Sequence, residues 1–241
     1  MMGYFFDTTE TIVDKVGFRH YSLLHIVWLT VFVLFVVGLT KVYKKADAKK
    51  KEKIKKGLAY LIIADELFKM VGLVIGGNYT WDYLPLHLCS INIFVIAWHA
   101  YKPNRLLDNF LYLVCIPGAM AALLFPSWNA LPLMNFMHIH SFTVHILLAA
   151  YPLMLLFNHE IKPDAHYIKW CVLTLLIMAI VIYGVNLVLD TNFMFLMKAD
   201  TNNPLYIFKQ LFGSHLIGFP VIIIPLILIM YAPYFKRKAQ A

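Results

Sequence analysis

Charge is scarce in this sequence: 14 % of its 241 residues are Asp, Glu, Lys or Arg, against about 25 % in ordinary soluble domains. Cysteine is scarce too. Cys89, Cys115 and Cys171 all lie inside apolar runs, and an odd number so placed argues against a disulfide framework. Histidine pairs at HxxxH spacing are missing, which speaks against a zinc site on one helix face and against a histidine-box di-iron centre. The last apolar run, 215–235, has no lysine, so a retinal Schiff base has nowhere to form. Support for repeated halves with broken helices, as transporters show, is weak. No cleavable leader is expected, because the first apolar run begins near residue 21 and is long enough to span a bilayer.

What is present is apolar. Hydrophobic residues make up 61 % of the chain and the mean hydropathy is +0.70, more than a water-soluble fold of this size can bury. A bilayer core needs about 20 apolar residues per helix. Runs of that length fall near 20–41, 57–77, 83–101, 107–125, 138–157, 168–189 and 215–235. The expectation is an all-α, polytopic membrane bundle of about seven transmembrane helices, forming a single domain over 1–241. Connections are short except 42–56 and 190–214. Pro85, Pro117, Pro152, Pro220 and Pro225 fall within spans and predict kinks or altered backbone pairing.

The net charge of +8 would suit a nucleic-acid binder, but its distribution excludes one: nine lysines cluster between Lys41 and Lys56. Such a segment belongs on the cytoplasmic side, against anionic lipid headgroups. Alternation then places sixteen of the 21 basic residues inside, including Lys102, Arg105, Lys162, Lys169, Lys236, Arg237 and Lys238. Lys15, Arg19, Lys198 and Lys209 fall outside, and Lys69 lies within a span. Seven spans put the N-terminus outside and the C-terminus in the cytoplasm of a multi-pass cell-membrane protein; six or eight would break the agreement.

Polar groups in lipid are costly and call for a reason. His20, His25, His87, His138, His140, His145 and His215 all fall in the outer halves or mouths of their helices, which suggests a polar cavity opening outward. The second span carries Asp65, Glu66 and Lys69, and both carboxylates can reach the ammonium at i,i+4 and i,i+3. This group reads either as an internally neutralised structural triad or as a charged cavity floor in which Glu66 orients a histidine or water.

In the third span, Cys89 and Asn92 share a face of a regular helix, whereas His87 pairs with Ser90. A base for Cys89 is therefore expected from another helix, unless Pro85 distorts the turn. His138, Ser141 and His145 form one stripe of the fifth span, with His145 roughly 10 Å deeper than His138. A thiol needs a nearby base or cation to become a nucleophile. The plainer reading of Cys89 is a small buried hydrophobe. A metal gathered from His87, His145 and His215 is a further alternative, though no metal or cofactor is expected.

The segment Leu84–Asn92, LPLHLCSIN, resembles the signature of the YwaF-type bacterial integral membrane protein family. Thr191–Leu196 resembles that family's element after the sixth helix, followed here by Ala199-Asp200 where Lys-Pro is common. His25 and the stretch around His145 resemble its histidine-bearing helices. The family is similar to animal transmembrane protein 164, an acyltransferase that remodels phospholipids through a membrane-embedded cysteine. The resemblance implies Cys89 as nucleophile and His145 as its partner; it departs at Ser90, where the animal pattern has histidine.

Two functions follow as expectations. The first is thiol-dependent acyl transfer on a phospholipid or lysolipid, a lipase if the acceptor is water. Cys89, His145 and Glu66 would be catalytic. His87, Ser90, Asn92, His138, Asn192 and His25 would contact substrate, with Asn92, Ser90 or Asn192 donating to the oxyanion. The second is a non-enzymatic transporter or binder of lipid or small solutes using the same outward cavity.

Overall fold

The computed structural model describes residues 3–13, 16–199, 203 and 205–235. Among the described residues it is all helix and turn. The helices are α1 (Leu23–Lys45), α2 (Ala48–Ile75), α3 (Leu88–Tyr101), α4 (Arg105–Phe110), α5 (Ile116–Leu124), α6 (Phe136–Phe157), α7 (Ile168–Leu189), α8 (Tyr206–Phe212) and α9 (Gly218–Phe235). Lys15, Asp200, Lys236, Arg237 and Lys238, used above for orientation or family pattern, lie outside the described residues.

Six helical segments are long and apolar enough to cross a membrane: α1, Trp81–Tyr101, α4 through α5, α6, Ala165–Leu189 and His215–Tyr234. They match six of the seven expected spans. The seventh, 57–77, lies within α2, a 28-residue helix. It differs from the others in carrying Asp65, Glu66 and Lys69 along its apolar stretch.

The lysine-rich connection expected over 42–56 is helix. α1 runs to Lys45, and only Ala46 and Asp47 intervene before α2. Asp47 caps α2 by accepting from the Lys50 backbone N–H at 2.7 Å, satisfying one of the donors that a helix start leaves open. The lysines therefore project from a rigid extension of the bundle.

α6 is the central post. In its apolar window 72 % of residues are buried, against 11 % in the Ala165–Leu189 segment, so the first is enclosed by protein and the second faces lipid. α6 packs against α1, α2, α3 and α5. Ile180, Val188 and Ile229 on the outer helices are more than two-thirds exposed, as a hydrocarbon solvent permits. The approach of α2 to α6 is close at Gly72: a Cβ there would lie 2.3 Å from the Phe136 ring, itself fully buried. Gly72→Ala is expected to cost about 1–3 kcal/mol through overpacking, read as a lower melting temperature of the purified protein in detergent.

The prolines act in different ways. Pro152 and Pro225 sit inside α6 and α9. Pro220 falls in the first turn of α9, where a missing N–H costs little. Pro117 follows a π-helical turn, Leu111–Cys115; its missing donor removes an intrahelical bond just where the ladder slips. Pro85 lies in the non-helical approach to α3, and this break shapes the site.

Candidate active site

Helix α3 has only 14 residues, about 20 Å of rise, so it falls short of a hydrocarbon core of about 30 Å. The first part of the third crossing is instead a 3₁₀ turn, Trp81–Tyr83, followed by a bend and turn over 84–87. His87 is the N-cap, but its side chain closes no cap bond. Ile91 N–H bonds the His87 carbonyl at 3.0 Å. The amides of Leu88 and Cys89 have no partner among the described residues, and that of Ser90 reaches the Cys89 sulfur. Cys89 thus occupies the first turn of a helix that begins inside the membrane. Open amides and the positive end of the helix dipole face the thiol there. Irregular backbone at such depth persists only where protein buries it or a polar cavity receives it.

This start at Leu88 removes the regular-helix premise by which His87 pointed away from Cys89. Both nitrogens of the His87 ring lack a hydrogen-bond partner among the described residues. The ring packs edge-on to Phe193 at 5.3 Å and beside Phe195 at 5.9 Å. The Ser90 backbone amide and hydroxyl sit against the Cys89 sulfur. Asn92 donates its amide to the Leu88 carbonyl at 2.9 Å, and its Oδ1 is buried without a partner.

Beneath these residues lies a buried ionic group shared by α2 and α6. Lys69 and Glu66 are ion-paired, both buried. His140 bridges to the same helix. Its Nδ1 meets the Asp65 carbonyl oxygen at 3.2 Å and carboxylate oxygen at 2.8 Å, and its Nε2 is 3.9 Å from Glu66. The 2.8 Å contact is close but off the hydrogen-bonding axis, since the same Asp65 Oδ2 is left without a hydrogen bond. Lys69 acts electrostatically on both His87 and Cys89, as do Asp82 on His87 and Glu66 on Cys89, and His140 acts on His145.

His145 lies about 13 Å below the start of α6. Its Nδ1 meets the Ser141 carbonyl at 2.6 Å. A carbonyl only accepts, so Nδ1 carries the proton and Nε2 keeps its lone pair. The ring stacks on Trp128 at 5.2 Å and 11°, while Nε2 has no partner among the described residues. A free lone pair on a ring held by stacking is what a general base requires. Thiol and imidazole are not hydrogen-bonded to each other. A different thiol, Cys115 Sγ, donates to the Leu148 carbonyl at 3.3 Å. That bond brings the α5 side of the bundle to α6 one turn below His145, and Cys115 is itself an electrostatic neighbour of Cys89.

The outer histidines do not line one open hollow. Six of the seven bond backbone carbonyls: His20 to Pro126, His25 to Leu123, His138 to Leu131, His140 to Asp65, His145 to Ser141 and His215 to Phe195. His25 also accepts from Tyr21 N–H and His138 from Trp28 Nε1, so both rings are fully engaged as struts. Asn192 closes its own loop, accepting from Met197 and Lys198 amides and donating to the Lys198 carbonyl. Cys89, Glu66, His87, Ser90 and Asn92 are gathered around Lys69 and the α3 start; His145 adjoins through His140. His25, His138 and Asn192 stand apart from this group with their polar atoms spent. His87, His145 and His215 form no metal set, and no group of three His, Cys, Asp or Glu side chains among the described residues is arranged to hold a metal ion.

His140 lies off the stripe formed by His138, Ser141 and His145, and only the packing of α2 on α6 brings the charged group of α2 to meet it.

These features define a multi-pass helical membrane protein with a buried ionic group beside a thiol at a broken helix. The chain belongs to the TMEM164 family, whose model matches residues 20–231, in line with the resemblance carried by Leu84–Asn92. No curated protein and no solved structure matches it.

Proposed function

We propose that the protein transfers an acyl group between membrane lipids through a thioester on Cys89. The carrying observation is the position of that thiol, in the first turn of a helix interrupted within the membrane, against unpaired amides and near Lys69. Membership of the TMEM164 family supports the same reading.

The thiolate attacks the ester carbonyl of a phospholipid, and the open amides of Leu88 and Cys89 receive the developing oxyanion. His145 Nε2 takes the thiol proton and delivers it to the departing lysolipid alkoxide as the carbon–oxygen bond breaks. A lysolipid hydroxyl then attacks the thioester. Its proton passes to His145 and back to sulfur, regenerating Cys89. Glu66, through Lys69 and His140, holds the charged neighbours in place. His87, with free ring nitrogens at the mouth of α3, contacts the substrate head. The lysine-rich start of α2 marks the cytoplasmic face, so the thiol serves the outer leaflet of the cell membrane.

The test is single-turnover reaction of the purified protein with phospholipid labelled in its acyl chain. Label is expected on Cys89 as a hydroxylamine-sensitive thioester, with one lysolipid released per label. Lysolipid release without labelled protein would overturn the covalent step. His145→Gln is expected to lower turnover about 10²-fold and to abolish the acid limb of its pH profile. His87→Gln is expected to act mainly on KM; the reverse order would move proton transfer to His87.

A further inference from the structure

A second polar cavity lies at the other end of the bundle. It has a volume of about 590 Å³ and is built from the lysine-bearing start of α2, the end of α3, the start of α4 and the turn after α6. His99 in its wall is ten residues along α3 from Cys89, about 15 Å, so the two sites are separate.

Its acids are already occupied. Asp108 Oδ1 bonds His99 Nε2 at 2.9 Å, and His99 Nδ1 meets the Tyr151 hydroxyl at 2.9 Å. Glu160 accepts from the Tyr43 hydroxyl at 2.8 Å and from Lys51 at 3.3 Å. Its cations outnumber them. Lys55 shares Glu160 with Lys51, pairing with it at 3.8 Å. Arg105 makes one long bond, 3.4 Å, to the Lys162 backbone carbonyl. The Lys162 ammonium has no partner among the described residues. Arg105 and Lys162 line the cavity without a carboxylate partner among the described residues, and this excess of positive charge favours an anionic ligand; a guanidinium beside two ammoniums suits phosphate oxygens.

The level of the cavity points to the source of that phosphate. Tyr60, Trp98, Tyr101 and Trp170 stand exposed at this end of the bundle, the belt that aromatic residues form at a membrane–water interface. A phosphate at this height is a lipid headgroup. We infer that the cavity between Lys55, Arg105 and Lys162 binds the phosphate of one anionic phospholipid in the leaflet opposite the Cys89 site.

The protein in neutral detergent would be titrated with phosphatidylglycerol and the retained lipid counted by native mass spectrometry. One tightly held lipid is expected. Arg105→Gln with Lys162→Gln is expected to weaken it roughly tenfold or more, whereas Lys49→Gln with Lys50→Gln, the same charge removed outside the cavity, leaves it in place. All four residues are exposed, so folding is retained; Lys162→Gln alone, with a smaller loss, checks this. Equal losses in the two double variants would show diffuse charge attraction and overturn the inference. Displacement of the lipid by millimolar inorganic phosphate would overturn the lipid source and assign the cavity to a soluble phosphate.

Discussion

Replacing Cys89 by alanine is expected to lower acyl turnover by on the order of 10³-fold or more, since loss of a nucleophile removes the covalent route and leaves only binding and oxyanion stabilisation. Melting temperature should barely move, because Cys89 is partly exposed, bonds through sulfur only to its neighbour Ser90 and packs at the edge of the apolar core. Cys89→Ser keeps an oxygen nucleophile in the same helix turn and is expected to retain a trace of activity, with an oxygen ester that hydroxylamine cleaves slowly. The control is Cys171→Ala, a fully buried cysteine on α7, expected to leave turnover intact while lowering stability. Full turnover in Cys89→Ala would end the acyl-transfer reading. Lipid binding or movement that survived Cys89→Ala but failed in Glu66→Gln would favour a non-enzymatic carrier using the ionic group.

Lys69→Met is expected to be the most damaging change to stability. It leaves Asp65 and Glu66 facing each other in the bundle interior with only His140 between them, and breaking one side of a buried ion pair costs about 3–5 kcal/mol. Glu66→Gln combined with Lys69→Met removes both charges together. Most of the stability is expected to return, because a neutral pair carries no desolvation penalty. Detergent melting curves of the two variants give the comparison. A double variant as unstable as Lys69→Met would mean that the ammonium acts through some contact other than Glu66. Activity divides the roles further. If Lys69 only neutralises Glu66, the stable double variant keeps its turnover. If its charge also holds the Cys89 thiolate, turnover falls while the melting temperature does not.

How much of this was legible beforehand depends on the type of signal. Six apolar runs read as spans are membrane-length helices, because hydrocarbon imposes a minimum length that composition alone reports. The run over 57–77 is helix too, and its three charges mark it as the helix that meets a polar partner rather than lipid. The partner, His140, was not legible, since the choice between His138 and His140 depends on which face of α6 meets α2. The break ahead of Cys89 was signalled only by Pro85: the apolar run over 83–101 reads as one span, whereas the helix begins at Leu88 and leaves the Leu88 and Cys89 amides open. The histidines gathered on one side were visible as a count, but not as struts. Whether an imidazole lines a cavity or braces a loop is decided by whether a carbonyl such as that of Leu123, Leu131 or Phe195 comes within reach.

By itself, the sequence determined that this chain is a helical multi-pass membrane protein, that it belongs with proteins sharing the LPLHLC element, and where its charge lies. These are local or additive properties, carried by run length, composition and order along the chain. Only the tertiary structure decided that His140 meets Asp65 and Glu66, that His145 holds an open lone pair, and that a cationic cavity lies at the far end. Each of these needs side chains from different helices at defined distances, and those distances arise from how α2, α3 and α6 pack, which no single stretch of sequence encodes.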